Sequence, residues 1–218
     1  MKQPKVIFFD AVGTLFGVRG TVGEVYSYLA STVGLQCSAD HLEIAFVEKF
    51  KMSPPLAFPG VDIIDVPQLE YQWWYQVTHN TFAEIEMVDK FADFDDFFRQ
   101  LYDYFATPDP WFLYTDVFPA LKYWQKQGIE LGIISNFDSR IYEVLDLFGL
   151  SNFFSTITIS STTGTAKPHP NIFMKALEQY QCQPEEVWHI GDSQKEDYEG
   201  AKAVGIIPFL LERDSKRN

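Results

Sequence analysis

Asp10 closes an apolar run, Val6 to Phe9, and is followed at once by Ala11-Val12-Gly13-Thr14. Both faces of such a run are apolar, the pattern of a parallel strand covered on each side, so the carboxylate is carried at the strand's C-terminal tip. A carboxylate placed there has the chemistry of a nucleophile or of a ligand for a hard cation. Three further apolar runs lead into polar groups. Leu131–Ile134 runs into Ser135-Asn136-Phe137-Asp138, Val187–Ile190 runs into Gly191-Asp192-Ser193, and Ile157–Ile159 is followed by Gly164-Thr165-Ala166-Lys167-Pro168. In open α/β sheets, ligands bind outside the carboxyl ends of the strands. If these runs lie side by side, two carboxylates, a hydroxyl, an amide and a lysine meet in one crevice. Folding alone does not call for polar residues at four strand tips.

The elements that must position these groups are legible in part. A fifth apolar run, Ile206–Leu211, joins the four above, and helix-period segments separate the later ones. Phe118–Gln127 has Pro119 near its start and is stopped by Gly128. Ile141, Val144, Leu145 and Phe148 share one helical face ahead of Gly149, and Ile172, Phe173, Ala176, Leu177 and Tyr180 share another. Strand–helix alternation of this kind predicts a doubly wound parallel α/β sheet. From about Val18 to Leu113 the alternation stops and only helical spacing remains. Val22, Val25, Tyr26, Leu29 and Val33 form one stripe, Ser38 is a candidate N-cap for a helix through Phe50, and Phe94, Phe97, Phe98, Leu101 and Phe105 form a second stripe. Pro54, Pro55 and Pro59 make 52–60 a loop. The simplest organisation is a helical domain inserted after the first strand, with the chain returning to the sheet near Leu113–Asp116.

Composition narrows the partners. The 218 residues fit one domain with an insert, and the 46% apolar content is that of a globular chain. A net charge of −13 argues against nucleic acid, whose phosphates need a basic surface. An anionic substrate must then be held by local cations or a metal ion. Cys37 and Cys182 lie far apart with no CxxC pattern, which suits reduced thiols and a cytoplasmic location. The first apolar run is too short for a signal peptide, and no stretch approaches the ~20 apolar residues of a membrane span.

The four polar segments, in this order and spacing, resemble the four motifs of the haloacid dehalogenase-like hydrolases, and the opening Phe8-Phe9-Asp10-Ala11-Val12-Gly13-Thr14-Leu15-Phe16 is similar to the branch called rhythmically expressed gene 2-like proteins. The resemblance implies a Rossmann-like core from residues 1–17 and 114–218, with 18–113 as a helical cap. It implies that Asp10 is the nucleophile, forming an aspartyl intermediate. It implies further that Ser135, the N–H of Asn136 and Thr14 bind the transferring group, and that Lys167 neutralises charge. Mg²⁺ would be held by Asp10, the backbone oxygen of Val12 and Asp192, with Asp197 in support. The substrate implied is a small, phosphorylated molecule.

One residue departs from the phosphatase pattern, which carries a second aspartate two positions after the first. Val12 stands there, and it can neither protonate a leaving oxygen nor activate water. Four readings follow. A metal-dependent phosphatase-like hydrolase would favour good leaving groups. A 2-haloacid dehalogenase needs no acid at position 12, but in those enzymes the metal aspartate is replaced, unlike Asp192. A phosphonate-cleaving enzyme would need a cap lysine such as Lys49 or Lys51. A non-catalytic binding protein would have kept only the scaffold.

The bland assignments are these. Trp73, Trp74 and Tyr75 pack a helix, with pocket lining as the alternative. His189 is a buried, hydrogen-bonded histidine and His79 a surface one. His169 lies near Lys167 in sequence. Arg19 and Arg140 are by default surface ion-pair partners, with a hinge or substrate contact the alternative for Arg19 and an anion contact above Asn136 the alternative for Arg140. Asp93, Asp95 and Asp96 begin a helix, and Asp138 caps another.

Overall fold

The computed structural model describes residues 3–213. Among them, β1 (Val6–Phe9), β4 (Glu130–Ser135), β5 (Thr156–Ile159), β6 (Val187–Gly191) and β7 (Ile207–Leu210) form a parallel sheet in the order β5-β4-β1-β6-β7. β1 is central, with Phe8 level with Gly132 of β4 and His189 of β6. This is the doubly wound α/β architecture that strand–helix alternation requires.

The apolar runs are continuous because the sheet is covered on both faces. Ile7, Phe9, Leu131 and Ile133 pack into one core with Leu121, Val144 and Leu145, while Val6, Phe8 and Ile134 pack into the other with Ile172, Phe173 and Ala176. Alternate residues of one strand thus serve opposite layers, each contributing roughly 1.5–3 kcal/mol on burial.

A second, two-stranded ladder was not expected. β2 (Phe16–Val18) pairs antiparallel with β3 (Trp111–Leu113), Gly17 opposite Phe112. The segment expected to return to the sheet near 113 therefore makes this ladder first. Short three-residue strands carry too little periodicity to be seen in advance. Between β2 and β3 lie α1 (Val22–Thr32), α2 (Ala39–Met52), α3 (Val66–Glu84) and α4 (Phe94–Tyr104). α1 is closed by a capping box of Thr21 with Glu24, and α2 by Ser38, which accepts from the His41 amide at 3.3 Å. These helices share a core of Tyr26, Leu42, Phe82, Phe97 and Leu101. Asp93 caps α4 as its acidic start suggested, accepting from the Asp96 amide at 2.9 Å.

The sheet crossovers are α5 (Val117–Lys126), α6 (Ile141–Leu147), the single turn α7 (Ser160–Thr163), α8 (Pro170–Leu177) and α9 (Gly200–Ala203). His169 is the exposed cap of α8, its ring accepting from the Asn171 amide at 3.2 Å. No helix among the described residues is long and apolar enough to cross a membrane.

Candidate active site

The parallel sheet brings the strand tips together as its register demands. Asp10 follows β1, Ser135 ends β4, and Asp192 follows β6. Lys167 comes from the loop between α7 and α8. Its Nζ lies 2.6 Å from Asp10 Oδ1 and 2.6 Å from Asp197 Oδ1, with the ammonium almost fully buried. Ser135 Oγ donates to the same Asp10 oxygen at 3.1 Å.

Asn136 acts on the backbone that carries Lys167. Its Oδ1 accepts from the Lys167 amide at 2.7 Å and its Nδ2 donates to the Lys167 carbonyl at 3.0 Å. The same Nδ2 reaches Glu196 at 3.2 Å, a half-buried carboxylate that strand-tip reasoning passed over because it lies beyond the tip in the following turn. That turn, Gln194–Glu199, is a π-helix, a rare form found often at functional sites. It returns Asp197 to the strand ends, where Oδ2 accepts from the Ser193 amide at 3.0 Å. A Cβ on Gly191 would sit 2.2 Å from the Asp197 carboxyl carbon, so glycine is what lets Asp197 approach β6 so closely. His189 is buried as expected, with Nε2 3.0 Å from Asp197 Oδ1.

Electrostatics separates the three carboxylates. Burial pushes Asp10 above the ordinary carboxylate value, with Asp197 and Asp192 adding to it against the pull of Lys167. Burial also raises Asp192, and the charge of Asp197 adds to this. Burial alone would raise Asp197 too, but the His189 bond and the Lys167 charge outweigh it and hold that carboxyl well down. Burial lowers His189, so its imidazole is neutral and the Nε2 proton is the one that faces Asp197. Burial would likewise lower Lys167, yet Asp10 and Asp197 together hold it protonated.

Ligand-bearing oxygens of Asp10, Asp192 and Asp197 all lie within 4.8 Å of one another. Three carboxylates and one ammonium leave an excess of two negative charges, which suits a divalent cation bound by hard oxygen donors. Both Asp197 oxygens are occupied by Lys167, His189 and Ser193. Asp10 and Asp192 are the two that could serve as ligands. Asp192 faces solvent, and its Oδ1 accepts from the buried Thr14 hydroxyl at 3.3 Å. Gly13 lies under Asp192 at φ 87°, and a Cβ there would come within 2.5 Å of Oδ2. The loop 10–14 is thus shaped around Asp192. The residues present fit a magnesium-type ion.

Val12, 37% exposed, faces a cavity of about 220 Å³ between the sheet and the helices inserted between β2 and β3. Asn136 and Phe137, which follow Ser135 in the chain, line the same cavity. The helices are tied down across it. Trp74 of α3 lines it and donates from Nε1 to Asp138 Oδ2 at 2.6 Å. Arg140 is an ion-pair partner rather than a free anion contact, paired with Asp138 at 2.6 Å and stacked 4.0 Å from the Tyr102 ring centre. Asp138, expected to cap α6, accepts from the Arg140 amide at 3.0 Å, but the N-cap residue is Arg140 and no side chain caps the helix. Glu70 of α3, buried and unnoticed in the sequence, accepts from the Ser139 amide at 3.0 Å and its hydroxyl at 2.9 Å.

Residues 4–205 match the model of the haloacid dehalogenase-like hydrolases. Haloacid dehalogenase-like hydrolase domain-containing protein 3 of Bos taurus is 33% identical over 209 residues, covering 96% of this chain and 82% of the relative. The Rhythmically expressed gene 2 protein of Drosophila melanogaster is 30% identical over 220 residues, covering 97% and 84%. Among solved structures, the HAD-hydrolase YfnB from Bacillus subtilis bound to magnesium superposes with a TM-score of 0.71 at 19% identity, covering 99% of this chain and 92% of that one.

Proposed function

The chain belongs to the haloacid dehalogenase-like hydrolase family, and on that premise we propose that it is a Mg²⁺-dependent, phosphatase-like hydrolase acting on a small phosphorylated molecule through an aspartyl intermediate at Asp10. The observation that carries the reading is the Asp10–Lys167–Asp197 arrangement with Asp192 beside it, two negative charges in excess at the strand ends. We take 1–17 and 114–218 as the catalytic core and 18–113 as a cap.

Asp10 is oriented for attack by Ser135 and Lys167 on one oxygen. Its carboxylate forms a bond to phosphorus while the bond from phosphorus to the leaving oxygen breaks, and the electron pair departs with that oxygen. Water then attacks the aspartyl phosphate, the P–O bond to Asp10 breaks, inorganic phosphate leaves, and the water's proton passes to solvent on the open Asp192 side. Asp10 and Asp192 would hold Mg²⁺, which when bound supplies positive charge against the nucleophile–phosphate repulsion. Lys167 contributes a second fixed cation to the same oxygens, and Asp197 with His189 keeps it aimed. Ser135 and the loop at Asn136 stand where the transferring group arrives.

Val12 gives no proton to the leaving oxygen. General acid help is worth roughly 10²–10⁴-fold, so substrates whose leaving oxygen is stable as an anion lose least. Asp192 speaks against a dehalogenase, because an unneutralised carboxylate beside Asp10 would weaken the nucleophile.

The deciding experiment is phosphate release from an aryl phosphate with Mg²⁺ and with EDTA, with Asp10→Asn as blank. Release that needs both Mg²⁺ and Asp10 supports the reading. Release equal in Asp10→Asn removes the covalent route, and no release in any condition removes the phosphatase-like reading.

A further inference from the structure

The cavity beyond Val12 is walled by rings. Nine of its sixteen lining residues are aromatic, Phe50, Trp74, Trp111 and Phe137 among them. Of the seven polar side chains on the wall, six are already engaged by protein. Tyr26 and Thr78 bond each other at 3.1 Å, and the Trp111 indole donates to the Phe105 carbonyl at 3.0 Å. Trp74 and Arg140 are both committed to Asp138, and Arg140 also donates to the Tyr102 carbonyl at 3.1 Å. Asn136 is committed to Lys167 and Glu196.

A polyhydroxylated substrate would lose its water there and find almost nothing to replace it, at about 1–3 kcal/mol for each unpaired group. A flat apolar ring loses little and gains stacking on every side. Size agrees. An apolar cavity of about 150 Å³ takes up benzene, so 220 Å³ accommodates one substituted ring or two fused rings.

The position of this cavity matters as much as its lining. Val12 lies two residues after Asp10 and Asn136 one residue after Ser135, and both line the cavity, so its wall adjoins the loops that carry Asp10 and Ser135. The missing acid and the aromatic wall then describe the same leaving group. An aryloxide spreads its charge into the ring, leaves without a proton, and is the group the wall receives. We propose that the substrate is an aryl phosphate monoester whose ring occupies the cavity and whose phenolic oxygen departs as the anion. This rests on the hydrolase reading above. The step balances as aryl phosphate dianion plus water giving aryloxide, hydrogen phosphate dianion and one proton.

The test separates the cavity from the chemistry. In the first arm, 1-naphthyl phosphate and glucose 6-phosphate are titrated into Asp10→Asn protein and tryptophan fluorescence is followed, since Trp74 and Trp111 line the cavity. Saturable quenching by the naphthyl ester and none by the sugar phosphate supports the proposal. Equal or absent quenching overturns it.

In the second arm, kcat/KM is compared for 1-naphthyl phosphate and acetyl phosphate, which also leaves without a proton but has no ring. A preference for the naphthyl ester of about tenfold or more, reduced in Phe50→Ala, supports the proposal. A ratio at or below one overturns it while leaving the hydrolase reading intact. No turnover of either compound overturns the hydrolytic step, and with it the proposed substrate, even where quenching shows that the cavity takes a ring. Val22→Phe, which fills the cavity from the start of α1, checks that a loss in Phe50→Ala is local. It should depress naphthyl ester binding with its thermal melt unchanged.

Discussion

Lys167→Met removes the one ammonium that faces Asp10 and Asp197 while keeping an unbranched side chain of similar length. In the native site its Nζ is 2.6 Å from an oxygen of each, and the side chain is 1% exposed. Each contact corresponds to about 6 kcal/mol of Coulomb attraction at an effective dielectric of about 20. Most of that offsets the cost of burying the charges. What is lost on deleting one partner of a buried pair is about 3–5 kcal/mol. For a chain of this size, about 2–4 °C of melting temperature goes with each kcal/mol, so the variant should melt about 6–20 °C lower. The assay is urea and thermal unfolding near neutral pH without divalent metal. Asp197→Asn in the Lys167→Met background should recover part of the loss, because it removes one of the stranded charges. The coupling in that double-mutant cycle should be about 0.5–3 kcal/mol. Unfolding within about 1 kcal/mol of the parent, or a double variant weaker than the sum of the singles, would refute the account of Lys167 as the group that neutralises this cluster.

Val12→Asp should raise kcat/KM on alkyl phosphates by about 10²–10⁴-fold and far less on aryl phosphates; no gain on alkyl substrates would mean that position 12 does not reach the leaving oxygen. Gly13→Ala should weaken Mg²⁺ binding by about 10–100-fold, measured calorimetrically, since the added Cβ displaces the Asp192 carboxylate. Burial raises the carboxyl of Glu70 above 4.5, so the folded protein carries a cost whenever that group is ionised. Glu70→Gln keeps an oxygen for Ser139 and removes the charge. It should be more stable than the parent at neutral pH, with the gap closing as pH falls toward 4.5; a gap independent of pH across paired melts would show that ionisation of Glu70 is not what matters.

The sheet and the strand-tip groups were legible because their signals are local. An apolar run four residues long with a carboxylate at its end states both burial and exit point, and a parallel register then places Asp10, Ser135 and Asp192 side by side with no further information. Asp197, in the same turn as Glu196, was named only because the family resemblance implies an acidic residue there. Helix caps at Ser38 and Asp93 were equally readable, since a cap is decided within four residues.

The cavity was not readable, because it exists only between elements that meet late. Trp74 finds Asp138 across 64 positions and Arg140 finds the Tyr102 carbonyl across 38. Trp74 was weighed as a packing residue or a pocket wall, and it lines the cavity while also tying α3 to the loop after β4. Glu70 carried no signal at all, since a single acidic residue in a helix is normally solvated and only the packing of α3 over Ser139 buries it. Periodicity tells a residue which way to face, but not what it will meet. The sequence by itself therefore determined the scaffold and the charged groups at its strand ends. Only the tertiary structure decided the aromatic shape in front of them, because that shape is assembled from side chains on helices whose common neighbour is the space itself.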